Sequence, residues 1–144
     1  MAFVADQPSG CIDQTLNALR VVPAGGGTGP TIVVTTPLTF SRGGTLLTPQ
    51  SPINVVIWRA PFACTVTALK GFAVGATGTT VNARRGGVST HLAVDLTLGS
   101  LNAWLDGGTV QNTAYAPGDE LEIMLTGIGG NPSQIAVQVE YTRP

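Results

Sequence analysis

From Pro52 onward, short runs of alternating apolar and polar residues are cut by glycine and proline roughly every 8–14 positions. This rhythm constrains the fold more than any single residue does. Period-two alternation turns one face of each run inward, and a slip of one residue would put the whole apolar set in water. Ile53, Val55 and Ile57 alternate with Asn54, although Val56 and Trp58 make the second face apolar as well. Cys64, Val66 and Ala68 alternate with Thr65 and Thr67, and Gly71 then suggests a bulge. The cleanest run is Val88 to Leu98, with Val88, Leu92, Val94, Leu96 and Leu98 on one face and Ser89, His91, Asp95 and Thr97 on the other. Leu121, Ile123 and Leu125, and then Ile135, Val137, Val139 and Tyr141, complete the set. Turn signals separate the runs at Gly75–Gly78, Arg85–Gly87, Asp106–Gly108, Pro117–Asp119 and Gly129–Pro132. The pattern predicts an all-β chain, an antiparallel β-sandwich of jelly-roll-like type over residues 51–144.

Residues 1–50 read differently. Pro23–Pro30 and Ser41-Arg42-Gly43-Gly44 are dense in glycine and proline, with further prolines at 8, 37 and 49. Between them, Ile12–Leu19 suggests one or two helical turns, and Thr31–Thr35 a short strand. A segment with so many breaks buries little of itself. It is expected to be an extended arm that orders on its own domain or on a neighbouring subunit, the alternative being a loose linker.

Composition narrows the chemistry. The chain has 144 residues, 19 glycines, 10 prolines and only 10% charged residues, with a formal net charge of −1. That balance argues against a helical bundle, and it removes nucleic acid as a default partner because such binding rests on neutralised phosphates. The longest apolar stretch is about five residues, far short of a membrane span, and the first residues lack the basic and apolar regions of a signal peptide. Cys11 and Cys64 are expected to be buried reduced thiols rather than a disulfide. They form no zinc pattern with the single histidine, His91.

The remaining candidates for chemistry are few. Ser89, His91 and Asp95 share one face of one predicted strand, with neighbours about 7 Å apart, too far for a hydrogen-bonded triad. No nucleophile elbow accompanies them. Residues 25–29 lack the Lys-Ser or Lys-Thr of a P-loop and the strand–helix setting of a dinucleotide fingerprint. Asp119, Glu120 and Glu122, with Asp106 in a nearby turn, match no calcium loop template and read as a charged strand opening. Trp58, Trp104 and Tyr115 could make a sugar-stacking platform, or could be core and interface anchors. Arg84-Arg85 reads as a rim contact. Val56, Trp58, Met124 and Ile128 lie out of phase with the core faces and are candidates for a subunit interface or a second buried face. The expectation is a non-enzyme with no catalytic, cofactor-binding or metal residues.

The stretch Arg59–Thr142 resembles a β-sandwich module of virion proteins from tailed bacteriophages. The likeness rests on Ala60-Pro61-Phe62 leading into Cys64-Thr65-Val66, then on Leu69–Gly75 and Gly78–Asn82. It continues through the Arg84–Gly87 turn, Tyr115–Leu121 opening a strand, Gly127-Ile128-Gly129 closing it, and a final strand Ile135–Tyr141. The resemblance implies a capsid decoration (cement) protein, assembled in the bacterial cytoplasm, that sits on the virion as a homotrimer. Its partner would be the major capsid protein. The alternative it implies is a head-fibre or tail-fibre module that binds a host surface glycan. On the decoration reading, removing residues 1–45 should leave a folded sandwich that no longer binds capsids.

Overall fold

In the computed structural model of the chain, residues 38–143 are described in full, together with the backbones of three short N-terminal strands. Every regular element among the described residues is a strand. The chain divides into two units, Met1–Leu38 and Thr39–Pro144.

In the first unit, β1 (Ile12–Asp13), β2 (Ala18–Val21) and β3 (Ile32–Val34) form an antiparallel sheet in the order β1-β2-β3. The Thr31–Thr35 expectation of a strand is met. The helical turns expected over Ile12–Leu19 are not, because both ends of that stretch are strands, with Ile12 opposite Leu19. A helix of so few residues is marginal in water, and pairing two β-prone ends wins. Cys11 and the glycine run 25–29 lie outside the described residues.

The second unit is the expected sandwich. One sheet runs β10 (Trp104–Asp106), β6 (Cys64–Val74), β13 (Gln134–Thr142), β4 (Thr39–Leu47), with β11 (Ala114–Tyr115) also on β6. The other runs β5 (Ile53–Arg59), β12 (Glu120–Gly127), β7 (Thr79–Arg85), β8 (Ser89–Thr90), with β9 (Leu96–Leu98) also on β7. Alternation does what the pattern predicts in the central strands. Leu121, Ile123 and Leu125 of β12 and Ile135, Val137, Val139 and Tyr141 of β13 are all buried between the sheets. Each such side chain contributes about 1.5–3 kcal/mol relative to exposure.

Four local readings are corrected by packing. Residues 39–47, assigned to the arm, form an edge strand of the sandwich and pair along the whole of β13. Gly43 and Gly44 therefore mark no turn: a Cβ on Gly44 would lie 2.7 Å from Ile123 Cδ1 and 3.1 Å from Ile57 Cγ2. Gly44 lets β4 and the opposite sheet approach closely, whereas a Cβ on Gly43 would lie 2.7 Å from Val137 O of β13 in its own sheet. Gly71 makes no bulge either; it sits in regular register between Leu105 and Val137. A Cβ there would meet Leu98 Cδ2 at 2.6 Å. The irregularity falls three or four residues earlier, where Tyr141 pairs with Val66 and Glu140 with Ala68, so Thr67 is the extra residue.

The second apolar face of β5 has a similar cause. The register with β12 shifts between Leu121 and Glu122, which leaves Ile57 unpaired between Val56 and Trp58. Ile57 and Trp58 both pack against the core, while Val56 stays 52% exposed.

Val88–Leu98 is not one strand. β8 and β9 flank a break at residues 91–95, where His91 and Leu92 are buried and Val88 and Val94 are more than four-fifths exposed. Asn82 bridges the gap. Its Oδ1 accepts from the Ala83 and Leu92 amides at 2.8 and 3.1 Å, and its Nδ2 donates to Leu92 O at 3.2 Å and Asp95 Oδ1 at 2.7 Å. One buried side chain thus replaces the ladder bonds that the break removes.

Candidate functional site

The paper triad does not assemble. His91 is fully buried rather than on an exposed polar face, and neither of its ring nitrogens meets Ser89 or Asp95. Nδ1 lies 3.2 Å from Gln111 O and Nε2 2.8 Å from the Tyr115 hydroxyl. A carbonyl can only accept, so Nδ1 carries the proton and Nε2 accepts from Tyr115. The His91 backbone adds bonds to Ala83 and Gln111, so this residue ties the 107–115 segment to β7. Asp95 is engaged by Asn82.

Burial lowers the His91 pKa below its ordinary value, and the nearby Arg85 charge lowers it further against the Gln111 carbonyl, which raises it. Burial likewise pushes the Tyr115 pKa up. The histidine is therefore folded as the neutral ring. In the unfolded chain it takes a proton near pH 6.5, so the unfolded state binds more protons as pH falls below that value. Stability from this site is complete above about pH 6.5 and falls by up to about 1.4 kcal/mol per pH unit until the folded-state pKa is reached. Urea midpoints between pH 7.5 and 5 should fall in the wild type and much less in His91→Asn; equal slopes would show that His91 is not the titrating group.

Among the described residues no three His, Cys, Asp or Glu side chains converge. Glu122 accepts from Arg84 Nε at 2.6 Å, Asp119 accepts from the Ala116 amide at 2.9 Å, and Asp106 accepts from the Gly108 amide at 2.7 Å. Arg84 and Arg85 are both used within the fold: Arg85 donates to Ala114 O and lies 3.8 Å from Asp119. Cys64 is buried, and burial followed by the Asp119 charge pushes its thiol pKa up, which leaves it a weak nucleophile.

The three rings that could have made a platform, or served as core and interface anchors, fall in two places. Trp58 and Tyr115, with centroids 6.4 Å apart, belong to an aromatic cluster at one end of the sandwich, where Trp58 stacks on Tyr141 at 5.0 Å. Phe40 and Phe62 complete the cluster around Tyr141 at 5.6 and 6.4 Å. Arg143 lies over Phe62 at 4.2 Å and Arg42 over Trp58 at 5.6 Å. Trp104 lies elsewhere, on the outward face of the β10-β6-β13-β4 sheet, with Phe72 at 5.4 Å. Sequence reading missed Phe72. Its pairing with Trp104 follows from the register between β10 and β6, two strands more than thirty residues apart in the chain.

Those two rings form one wall of a shallow groove of about 330 Å³ that crosses the sheet over β13 to β4. The floor is low because Ala136, Gly43 and Ser41 offer little side chain. Lys70 and Glu140 pair beside it at 2.6 Å, and that bond raises the Lys70 pKa.

The two sides of the sandwich differ in how their edges end. On one side the edge elements are short and interrupted: β10 and β11 on β6, β8 and β9 on β7. On the other side lie β4 and β5, strands of nine and seven residues whose outer edges pair with nothing among the described residues. Five exposed large apolar residues fall on or beside these two strands: Leu38, Phe40, Leu47, Ile53 and Val56. Of the earlier interface candidates, Val56 is on this side and exposed, whereas Trp58 and Ile128 pack on the core.

No protein-family model and no curated protein sequence matches the chain. Among solved structures, the chain is similar to the capsid asymmetric unit of cyanophage Pam1, with 14% identity, coverage of 87% of this chain and 94% of that one, and a TM-score of 0.49. It is also similar to the structure of infectious bursal disease virus strain Gx, with 12% identity, coverage of 87% and 38%, and a TM-score of 0.33.

Proposed function

We propose that this chain is a structural protein of a bacteriophage particle, a capsid decoration protein that associates as a trimer and binds across capsid subunits. The observation that carries this reading is the β4–β5 side, whose outer edges pair with nothing among the described residues. Long unpaired strand edges are a liability in a monomer and are normally shortened, charged or covered. Here the other side is interrupted in that way, while the β4–β5 side keeps full-length edges and exposed Leu47, Ile53 and Val56.

Three further features support the reading. Strands β4 to β7 change sheet at each step and the first and last strands of the unit, β4 and β13, lie side by side, an order that supports a jelly-roll-like reading. Strands of two, four and three residues in the first unit are too short to stabilise a sheet alone, so that unit gains by packing on a larger surface. The buried His91, Asn82 and Tyr115 are committed to holding the fold, which favours a non-enzymatic role. A decoration protein acts by spanning seams, so that each bound copy lowers the free energy of the closed shell.

Light scattering on the purified protein should give a trimer mass, and the protein should co-sediment with undecorated phage capsids. Leu47→Asp with Val56→Asp should reduce the mass to that of a monomer and weaken capsid binding by roughly tenfold or more, because buried charge replaces buried apolar surface at each contact. A wild-type monomer indifferent to capsids would overturn the proposal.

A further inference from the structure

Across the outward face of the β10-β6-β13-β4 sheet, register sets Trp104, Phe72, Ala136 and Thr45 in one row, and Asp106, Lys70, Gln138 and Gly43 in the next. Side-chain size falls steeply from the Trp104–Phe72 end to the Gly43–Ser41 end, which is what makes the groove. Trp104 is 50% exposed, although a sheet face can be made polar at little cost.

The rest of the lining is uncharged: four polar side chains beside Gly43, Gly44, Ala136 and Val137. Gln134, Gln138, Ser41 and Thr45 face the groove, and among the described residues none of them makes a side-chain hydrogen bond. The neighbouring charges are satisfied, Lys70 by Glu140 and Asp106 by the Gly108 amide.

These properties select a ligand chemistry. An anion would find no unpaired cation here. A peptide strand could pair only at the outer edge of β4; over the floor of the groove the β13 backbone is already paired on both sides, with β6 and with β4. A purely apolar ligand would bury the two glutamine amides without partners. A pyranose ring fits both halves of the lining: its C–H face stacks on an aromatic ring, and its hydroxyls exchange hydrogen bonds with amide and hydroxyl side chains. We propose that this groove binds a neutral oligosaccharide, with Trp104 and Phe72 as the stacking wall and Gln134 and Gln138 as the hydrogen-bonding side. The proposal rests on the outer face of one sheet and does not depend on the decoration reading, which rests on the β4–β5 side.

The test is isothermal titration of the full chain with neutral pentasaccharides of glucose, galactose, mannose and N-acetylglucosamine. At least one should bind saturably. Trp104→Ala should weaken that binding roughly tenfold, and Trp104→Phe should recover part of it. Gln138→Ala should weaken it about fivefold, the size of one net hydrogen bond. Circular dichroism should show all three variants folded, because the substituted groups face solvent. Failure of every sugar to bind, or binding unchanged in Trp104→Ala, would overturn the proposal. So would a change of solution mass in Trp104→Ala, which would make this face a protein contact.

Discussion

Deleting residues 1–45 is expected to abolish cooperative folding, whereas deleting residues 1–37 is expected to leave a sandwich that still melts in one transition. The difference is β4. Removing Thr39–Thr45 strips seven residues from the strand that pairs with the whole of β13, and it exposes the β13 edge in the middle of the hydrophobic core. It also removes Phe40, which stacks on Tyr141 with centroids 5.6 Å apart, and the backbone at Gly44 that packs against Ile123 and Ile57. Lost side-chain burial and lost ladder bonds of this kind each cost about 1–3 kcal/mol, against a total stability of about 5–15 kcal/mol. The shorter deletion stops before Leu38 and leaves the second unit intact. Thermal and urea melts followed by circular dichroism separate the cases, and a cooperative transition in the longer deletion would refute the role given to β4. Co-sedimentation of the shorter deletion with capsids then tests whether the N-terminal unit carries binding, with loss of binding as the expected result.

Tyr141→Ala is expected to cost about 3–5 kcal/mol, the range for deleting a buried aromatic side chain. Tyr141 is 2% exposed and is the hub of the aromatic cluster, in contact with Phe40, Trp58 and Phe62 from three other segments. Trp58 comes from the opposite sheet, so the stack is one of the ties between the layers. At about 4–8 °C per kcal/mol for a domain of this size, the midpoint should fall by roughly 12 °C or more. Tyr141→Phe keeps the ring and should cost less than about 1.5 kcal/mol. Equal losses in the two variants would show that the hydroxyl, not the ring stack, matters at this position.

The contrast between readable and unreadable elements has a common cause. β12 and β13 were legible because both are central strands: each has neighbours on two edges and a core on one face, so period two appears in the sequence undisturbed. The turn at Pro117-Gly118-Asp119 was legible because Gly118 adopts φ +95°, a backbone state that the sequence signals with glycine. Gly43, Gly44 and Gly71 use the same residue for another purpose. They make room for Ile123, Leu98 and the neighbouring backbone, and those neighbours are distant in sequence. Val88–Leu98 has a clean alternation, yet Asn82 and His91 divert the chain inward because buried hydrogen-bond partners on β7 and at Gln111 and Tyr115 wait there.

What the sequence by itself determined is the all-β class, the inward faces of the central strands and most of the turns, because these depend on residues one or two positions apart. The tertiary structure alone decided where the sandwich begins, which glycines are packing devices, and that His91 is a core residue. It also decided that Trp104 pairs with Phe72 rather than Trp58, and that one side keeps two edges unpaired among the described residues. Each of these depends on register between strands far apart in the chain, and on which side chains that register brings within contact distance.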